Sequence, residues 1–222
     1  MTVIVLLGAP GAGKGTQAQL LAERLGIPHV ATGDLFRAAV RDNSPIGLEA
    51  RRFMERGQLV PDDITIQMLL DRLAQPDAAG GAILDGFPRN GAQAEALDRA
   101  LADRGSAVDL AVNIEVPSEE LVERLSDRWV CRDAGHVYNQ ASNPPRQPGI
   151  CDIDGSPLVQ RADDKAETIR ARLDLQLASL RDVVDHYART GILRTVDGRQ
   201  SIDDVAAAVH RVVTNETGTT AG

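Results

Sequence analysis

The stretch Val3-Ile4-Val5-Leu6-Leu7-Gly8-Ala9-Pro10-Gly11-Ala12-Gly13-Lys14-Gly15-Thr16 decides the fold. Its opening run is apolar and rich in β-branched residues, too short for a helix and suited to a strand buried on both faces. The glycines that follow permit backbone angles closed to other residues, so successive N–H groups can close around phosphate oxygens. Beyond them Leu20, Leu21 and Leu25 keep helical spacing as far as Gly26, which reads as the helix stop. A helix opening behind such a turn aims its positive end at the same anion, and Lys14 reaches toward the outer phosphates. Strand before and helix after is the context that a phosphate-binding loop demands. There is one departure. The residue after Lys14, usually a Mg²⁺-binding hydroxyl, is Gly15, and the hydroxyl comes one position later at Thr16. That weakens a reading as a GTP-hydrolysing switch, as does the lack of an Asn-Lys-x-Asp guanine-reading motif.

Further short apolar runs at 82–84 and 110–116 read as strands of the same kind, and 192–196 is a fourth strand candidate. Between them lie helical patterns: Leu35, Phe36, Ala39 and Val40 after Thr32; 48–56, closed by Gly57; and Ile64, Met68, Leu69 and Leu73 behind Pro61-Asp62-Asp63. Leu121, Val122 and Leu125 behind Ser118 give another, and 165–190 and 202–213 the last two. Strands alternating with helices predict an α/β chain, a P-loop three-layer fold with a central parallel sheet and right-handed crossovers. The stretch 127–164 breaks the rhythm: it has no helical period and is rich in Pro, Gly, Cys and Asp. It reads as an inserted lid of short strands and turns. The tail 215–222 is small and polar and is expected to fray.

Composition narrows the partners. At 222 residues, 43% hydrophobic and 25% charged, the chain suits one globular domain with a core of aliphatic residues, aromatics being 3%. A net charge of −8 argues against nucleic acid as the main partner, while small phosphate ligands remain compatible with a local cluster of arginines. With neither a signal-peptide pattern nor an apolar run of membrane-spanning length, the expectation is a soluble cytoplasmic protein with no membrane partner. No long exposed apolar stripe is evident, so a monomer is expected. Lys14 and Lys165 are the only lysines among 24 basic residues, which makes a lysine inside the glycine-rich loop pointed. The cysteines Cys131 and Cys151 are too few for a disulfide framework and read as free thiols or metal ligands.

Asp85 ends the 82–84 run, where a carboxylate orients Mg²⁺ through its waters, and Gly86-Phe87-Pro88-Arg89 follows at the sheet's carboxyl edge. Arg37, Arg124, Arg128, Arg161 and Arg172 add charge, with Arg124 and Arg128 four apart on one helix face. Phosphoryl transfer onto an acceptor that is already an anion needs positioning and charge neutralisation more than a base. A chain rich in Arg and poor in His fits that chemistry.

With these residues assembled, the chain resembles the adenylate kinase family, through GAPGAGKGTQ (8–17), TGDLFR (32–37), GQLVPD (57–62), LDGFPRN (84–90) with Gln93, Arg124 with Arg128, RADD (161–164), Arg172 and VDG (196–198). The resemblance implies transfer of the terminal phosphoryl group from Mg·ATP to AMP, giving two ADP. It divides the chain into a core (1–30, 61–126 and 165–222), an AMP-binding segment (31–60) and a lid (127–164). It implies ATP contacts from Gly11, Ala12, Gly13, Lys14, Gly15, Thr16, Arg124, Arg128, Val137, Tyr138 and the backbone of Gln200. It implies AMP contacts from Thr32, Arg37, Gln58, Leu59, Val60, Gly86, Phe87, Pro88, Arg89, Gln93, Arg161 and Arg172, with Gln93 reading the adenine edge. The catalytic set would be Lys14, Arg89, Arg124, Arg128, Arg161 and Arg172, and Asp85 would orient the Mg²⁺ waters. A pyrimidine monophosphate kinase of the same fold is the nearest rival; Thr32 and the long lid stand against it.

Some members of the family hold zinc in the lid on four Cys or Asp positions. Here those positions read Cys131, Ala134, Cys151 and Asp154, so three could ligate and Ala134 cannot. Asp133 or His136 could supply a fourth ligand, but His136 sits at another spacing. The residues favour a lid held by hydrogen bonds and packing over one held by zinc.

Overall fold

The computed structural model describes residues 1–54, 60–160 and 166–218. Its elements run β1 (Thr2–Leu7), α1 (Lys14–Leu25), β2 (His29–Ala31), α2 (Thr32–Arg41), α3 (Pro45–Met54) and α4 (Asp62–Leu73). They continue with β3 (Gly81–Asp85), α5 (Gly91–Ala102), β4 (Leu110–Glu115), α6 (Ser118–Ser126), β5 (Arg128–Cys131), β6 (Val137–Asn139) and β7 (Leu158–Val159). The chain closes with α7 (Ala166–Arg189), β8 (Leu193–Asp197) and α8 (Ile202–Thr217).

Five strands form one sheet in the order β2-β3-β1-β4-β8, every pair parallel. Residues Val3 to Leu7 of the central strand β1 are at most 2% exposed, which explains the unbroken apolar run. Alternate side chains enter opposite cores. Ile4 and Leu6 pack with Leu21 of α1, Leu121 and Leu125 of α6 and Val209 and Val213 of α8. Val3, Val5 and Leu7 pack with Leu69 and Leu73 of α4, Leu97 and Leu101 of α5 and Val183 and Tyr187 of α7. Full burial of each such side chain contributes about 1.5–3 kcal/mol. Helix α7, about 36 Å long at 1.5 Å per residue over 24 residues, serves both cores: Ile169 and Leu173 lie in the first, Val183 and Tyr187 in the second.

A second, antiparallel sheet of order β6-β5-β7 has its own small core of Cys131, Tyr138, Cys151 and Leu158, with Trp129 against it. Helices α2, α3 and α4 meet around Phe36, Ala50 and Val60.

Several elements differ from the sequence reading. Strand β2 was not expected, because His29-Val30-Ala31 is too short and too polar at its start to read as a strand. Its ladder to β3 (His29 to Ile83, Ala31 to Asp85) supplies what the local sequence lacks. Helix α5 was also unmarked; its start is fixed by Asn90, whose side chain accepts a hydrogen bond from the Gln93 N–H. The tail holds helix through Thr217 instead of fraying at 215. The Arg194–Glu216 ion pair (2.7 Å) and the left-handed cap at Gly218, which donates to Thr214 O, hold that last turn.

Candidate active site

The order β3-β1-β4 puts the end of β1 beside the point where the chain's direction of travel across the sheet reverses, the usual ligand position in open α/β sheets. There the glycine-rich turn leads into α1. Gly13, at φ 90°, takes the N-cap position, and no side chain caps the helix there. With no acidic residue in the first turn either, the positive end of α1 is left for an outside anion. Lys14 Nζ donates to Gly8 O (2.8 Å) and Ala9 O (2.9 Å), so the ammonium lies folded over the turn. Ala12 is buried, and Gly11, Gly15 and Thr16 line the same turn, partly exposed.

Asp85 ends β3 next to this turn. A Cβ added to Gly15 would stand 3.5 Å from Asp85 Oδ2, so carboxylate and helix start face one gap. Its other neighbour is His29, with Nε2 3.3 Å from Oδ2. Burial pushes the Asp85 carboxyl up, but the His29 hydrogen bond and the charges of Lys14, His29 and Arg89 outweigh it and hold the group below its ordinary range. An ionised carboxylate in that gap suits a hydrated divalent cation. His29 is a site residue that the sequence reading missed; the only signal was a histidine among the few in the chain, followed closely by the TGDLFR run.

On the opposite side of Asp85 the chain turns at Gly86, whose φ of 79° favours glycine. The Gly86 carbonyl gathers two donors, Thr32 Oγ1 (3.1 Å) and Arg89 Nε (2.8 Å). A Cβ at Gly86 would meet Thr32 Oγ1 at 3.3 Å, so Gly86 and Thr32 approach as closely as they do only without a side chain there. Phe87 is buried, and the Phe87–Pro88 bond is cis. Gln93, 3% exposed, accepts from the Arg89 N–H through Oε1 (2.7 Å) and donates through Nε2 to Asp62 Oδ1 (2.6 Å). Val60 is buried in the α2–α4 cluster. Arg37 is paired with Asp34 one turn back on the exposed side of α2. Gln58, Leu59 and Arg161 lie outside the described residues, as does the side chain of Arg172 on α7.

Arg124, on α6, donates to Glu120 Oε1 (2.5 Å) and to Gly198 O (2.9 Å), which ties α6 to the VDG turn after β8. Arg128 does not share a helix face with Arg124 as its spacing suggests: α6 ends at Ser126, and Arg128 opens β5 opposite Asn139. Gln200 is exposed, just before the Ser201 cap of α8. Val137 is exposed, whereas Tyr138 is turned into the small core, its hydroxyl accepting from Asp152 N (2.8 Å).

In that small sheet the fold assembles what spacing did not promise. Cys131 N donates to His136 O (2.8 Å) and Gly135 N to Cys131 O (2.9 Å), a tight hairpin that sets His136 across from Cys131. Ligand atoms of Cys131, His136, Cys151 and Asp154 all lie within 4.8 Å of one another. His136 Nδ1 is 3.3 Å from Cys151 Sγ and 3.5 Å from Asp154 Oδ2, and Cys131 Sγ is 3.0 Å from Asp154 Oδ2. Around zinc, with bonds of 2.0–2.3 Å, tetrahedral ligand atoms stand roughly 3.3–3.8 Å apart. The set therefore fits a four-ligand site. The family's spacing offers three ligands and leaves Asp133 or His136 as candidates for the fourth; the hairpin brings His136 to that place.

A parallel α/β sheet with a lysine-bearing glycine turn at its switch point, a carboxylate beside it and arginines on the flanking elements defines a nucleotide-dependent phosphotransferase. The chain belongs to the adenylate kinase family, whose profile matches residues 6–192. It is 49% identical over 206 residues to the adenylate kinase of Carboxydothermus hydrogenoformans, covering 93% of this chain and 96% of that one. Against the adenylate kinase of Limosilactobacillus fermentum it is 48% identical over 213 residues, 96% and 99% of the two chains. Against that of Bacillus subtilis it is 48% identical over 206 residues, 93% and 95% of the two. Among the described residues no helix is long and apolar enough to cross a membrane.

Proposed function

We propose that this enzyme seats ATP on the 8–16 turn and AMP between α2 and the Gly86–Arg89 turn, with the phosphates meeting over Lys14 and Asp85. The chain is an ATP:AMP phosphotransferase: it moves the terminal phosphoryl group of Mg·ATP to AMP and yields two ADP, balancing the adenine nucleotides. The observation that carries the site assignment is the convergence of Lys14, Asp85, the Gly86 turn and Gln93 on one carboxyl edge of the sheet.

In the reaction an oxygen of the AMP phosphate forms a bond to the γ-phosphorus. The bond from that phosphorus to its bridging oxygen breaks, and the electron pair stays on the departing ADP. The acceptor needs no base, so the residues act by charge and position. Lys14 exchanges its hold on the Gly8 and Ala9 carbonyls for the outer phosphates. Arg89, Arg124, Arg128, Arg161 and Arg172 neutralise charge around the transferred group, and Arg37 with Thr32 holds the acceptor. Gln58, Leu59, Val60 and Gln93 enclose the base, while Val137, the Tyr138 backbone and Gln200 border ATP. Asp85 would hold the waters of Mg²⁺ bound with ATP, which would supply neutralisation of the phosphate charge. Residues 1–30, 61–126 and 165–222 form the core, 31–60 the AMP segment and 127–164 a lid that keeps water from the phosphoryl group. We read the enzyme as a cytoplasmic monomer acting on ATP, AMP and ADP, with no nucleic-acid or membrane partner.

Zinc belongs in this reading as a structural ion. Cys131, His136, Cys151 and Asp154 would hold it and so fasten β5, β6 and the 151–154 turn without entering the chemistry.

An initial-rate assay with Mg·ATP against AMP, CMP, UMP, GMP and dAMP tests the assignment. A wide preference for AMP is expected; equal rates with CMP or UMP would move the acceptor site to the pyrimidine class.

A further inference from the structure

We infer that Asp62 selects the base at the acceptor site by fixing which way round the Gln93 amide is held. This rests on the reading that Gln93 meets the purine edge.

A glutamine amide presents an acceptor on one arm and a donor on the other, and the two arms exchange by a half-turn. Here each arm is claimed by a group that cannot serve the alternative. The Asp62 carboxylate only accepts, and it takes Nε2 at 2.6 Å. The Arg89 backbone N–H only donates, and it takes Oε1 at 2.7 Å. Asn90 Oδ1 holds the Gln93 N–H at 2.8 Å, so the main chain from which the amide hangs is fixed as well. Among the described residues, these bonds leave one N–H on Nε2 and one lone pair on Oε1 for a ligand.

Adenine and guanine differ at the two atoms such an amide would read. Adenine has a donor at its position-6 amine and an acceptor at N1; guanine has an acceptor at O6 and a donor at N1. For a purine in one pose, the amide orientation that suits adenine opposes guanine, and the reversed orientation does the opposite. Locking the amide therefore converts a side chain able to read either base into one that reads adenine. Asp62 holds one of the two locks.

The bland alternative is that Asp62 serves α4, because a carboxylate in the first turn of a helix is favourable there. Asp63 provides the control. It lies in the same first turn and is exposed, so it carries the helix-end charge without the contact to Gln93.

The test compares Asp62→Ala, Asp62→Asn, Asp63→Ala and Gln93→Leu with the parent enzyme. Readouts are kcat and KM for AMP and GMP at saturating Mg·ATP, KM for ATP, and Tm. Asp62→Ala is expected to raise KM for AMP and to narrow the AMP-over-GMP ratio of kcat/KM, each by about 10-fold, the scale of one buried hydrogen bond. KM for ATP and kcat with AMP should stay within about 2-fold, the pattern of lost acceptor binding with intact chemistry. Asp63→Ala should leave the ratio unchanged. Asp62→Asn, which keeps the shape but can also donate to a reversed amide, should narrow the ratio in the same direction and decides the matter if the alanine variant does not fold. An unchanged ratio in the folded Asp62 variants, with the ratio lost in Gln93→Leu, would overturn the role of Asp62 alone. Equal losses in Asp62→Ala and Asp63→Ala would reduce it to a helix-end charge. A ratio preserved in Gln93→Leu would remove the purine reading of Gln93, and this inference with it.

Discussion

His29 Nε2 lies 3.3 Å from Asp85 Oδ2, so the edge strand β2 reaches across to the carboxylate that ends β3 beside the phosphate turn. Asp85 is held below the ordinary carboxylate range because that bond and nearby cationic charge outweigh burial. A depressed carboxyl contributes stability that is fully present above its unfolded pKa and is lost as pH falls through its folded value. Asp197, lowered to about 2 by Arg199, follows the same sign and loses its contribution between about 4 and 2. These groups should therefore leave stability unchanged from neutral pH down to about 5 and should withdraw their contribution below about 4. His29→Ala removes the largest favourable partner of Asp85. Its acid-unfolding midpoint, followed by circular dichroism, should move to higher pH, with a loss near neutrality of about 1–2 kcal/mol in urea unfolding. An unmoved acid midpoint would show that Asp85 does not depend on His29.

Lys14 and Arg89 both bear on the Asp85 carboxylate, one folded over the Gly8 and Ala9 carbonyls, the other bonded to the Gly86 carbonyl, and in the proposed site both reach the phosphates. Neither is part of a core cluster, so alanine at either position should leave Tm close to the parent value. Turnover should fall by about 10²-fold or more, the cost of removing one preorganised donor from a transition state of this charge. Steady-state rates with Mg·ATP and AMP, alongside a melting curve, check both halves. Near-parent turnover in a folded Arg89→Ala protein would take Arg89 out of the mechanism.

The small sheet should carry a metal. Cys131, His136, Cys151 and Asp154 present four ligand atoms, and the protein purified without chelator should hold close to one zinc per chain by elemental analysis. His136→Ala should lose most of that metal and melt roughly 2–8 °C lower, about 1–2 kcal/mol for a chain of this size. Chelation of the parent should lower Tm in the same way and have little effect on the variant. Metal retained in full by His136→Ala would mean that the histidine is not a ligand.

What the sequence made legible, and what it hid, follows from how far each signal travels along the chain. The phosphate turn was readable because strand, glycines, lysine and helix are contiguous from Val3 to Leu25. The strands β1 and β3 were readable because burial on both faces leaves unbroken apolar runs, and β4 because Asn113 alone interrupts its apolar residues before Glu115. Strand β8, with Arg194 and Thr195 inside it, was marked only by the apolar residues flanking that pair. Strand β2 was not, because three residues beginning with a histidine owe their conformation to the neighbouring β3. The role of His29 was hidden for the same reason: it faces a residue 56 positions away. Spacing left His136 as one of two candidates for the fourth lid ligand, and the hairpin at 131–136 brings it opposite Cys131. Asp62 and Gln93, 31 residues apart, likewise become partners only through the packing of α4 against α5.

The packing of α2 on α3 offers the most local test of the proposed AMP segment. A Cβ built on Gly47 would stand 2.0 Å from the Ala39 carbonyl oxygen and 2.7 Å from Val40 N, both backbone atoms that cannot rotate away. Ser44 reinforces the corner by accepting from the Gly47 N–H (3.1 Å) and donating to Ala39 O (3.2 Å), and Arg51 donates to Val40 O (2.9 Å). Gly47→Ala must therefore move α3 off α2, with a cost of about 1–3 kcal/mol, as for an overpacked core. Helix α2 carries Thr32 and Arg37 at the proposed acceptor site, so the displacement should raise KM for AMP several-fold while KM for ATP changes little. Melting curves and initial rates with each substrate varied separately read both effects. A Tm at the parent value would mean that the α2–α3 corner yields without strain. A rise in KM for ATP matching that for AMP would mean that the corner serves the whole enzyme instead of the acceptor site.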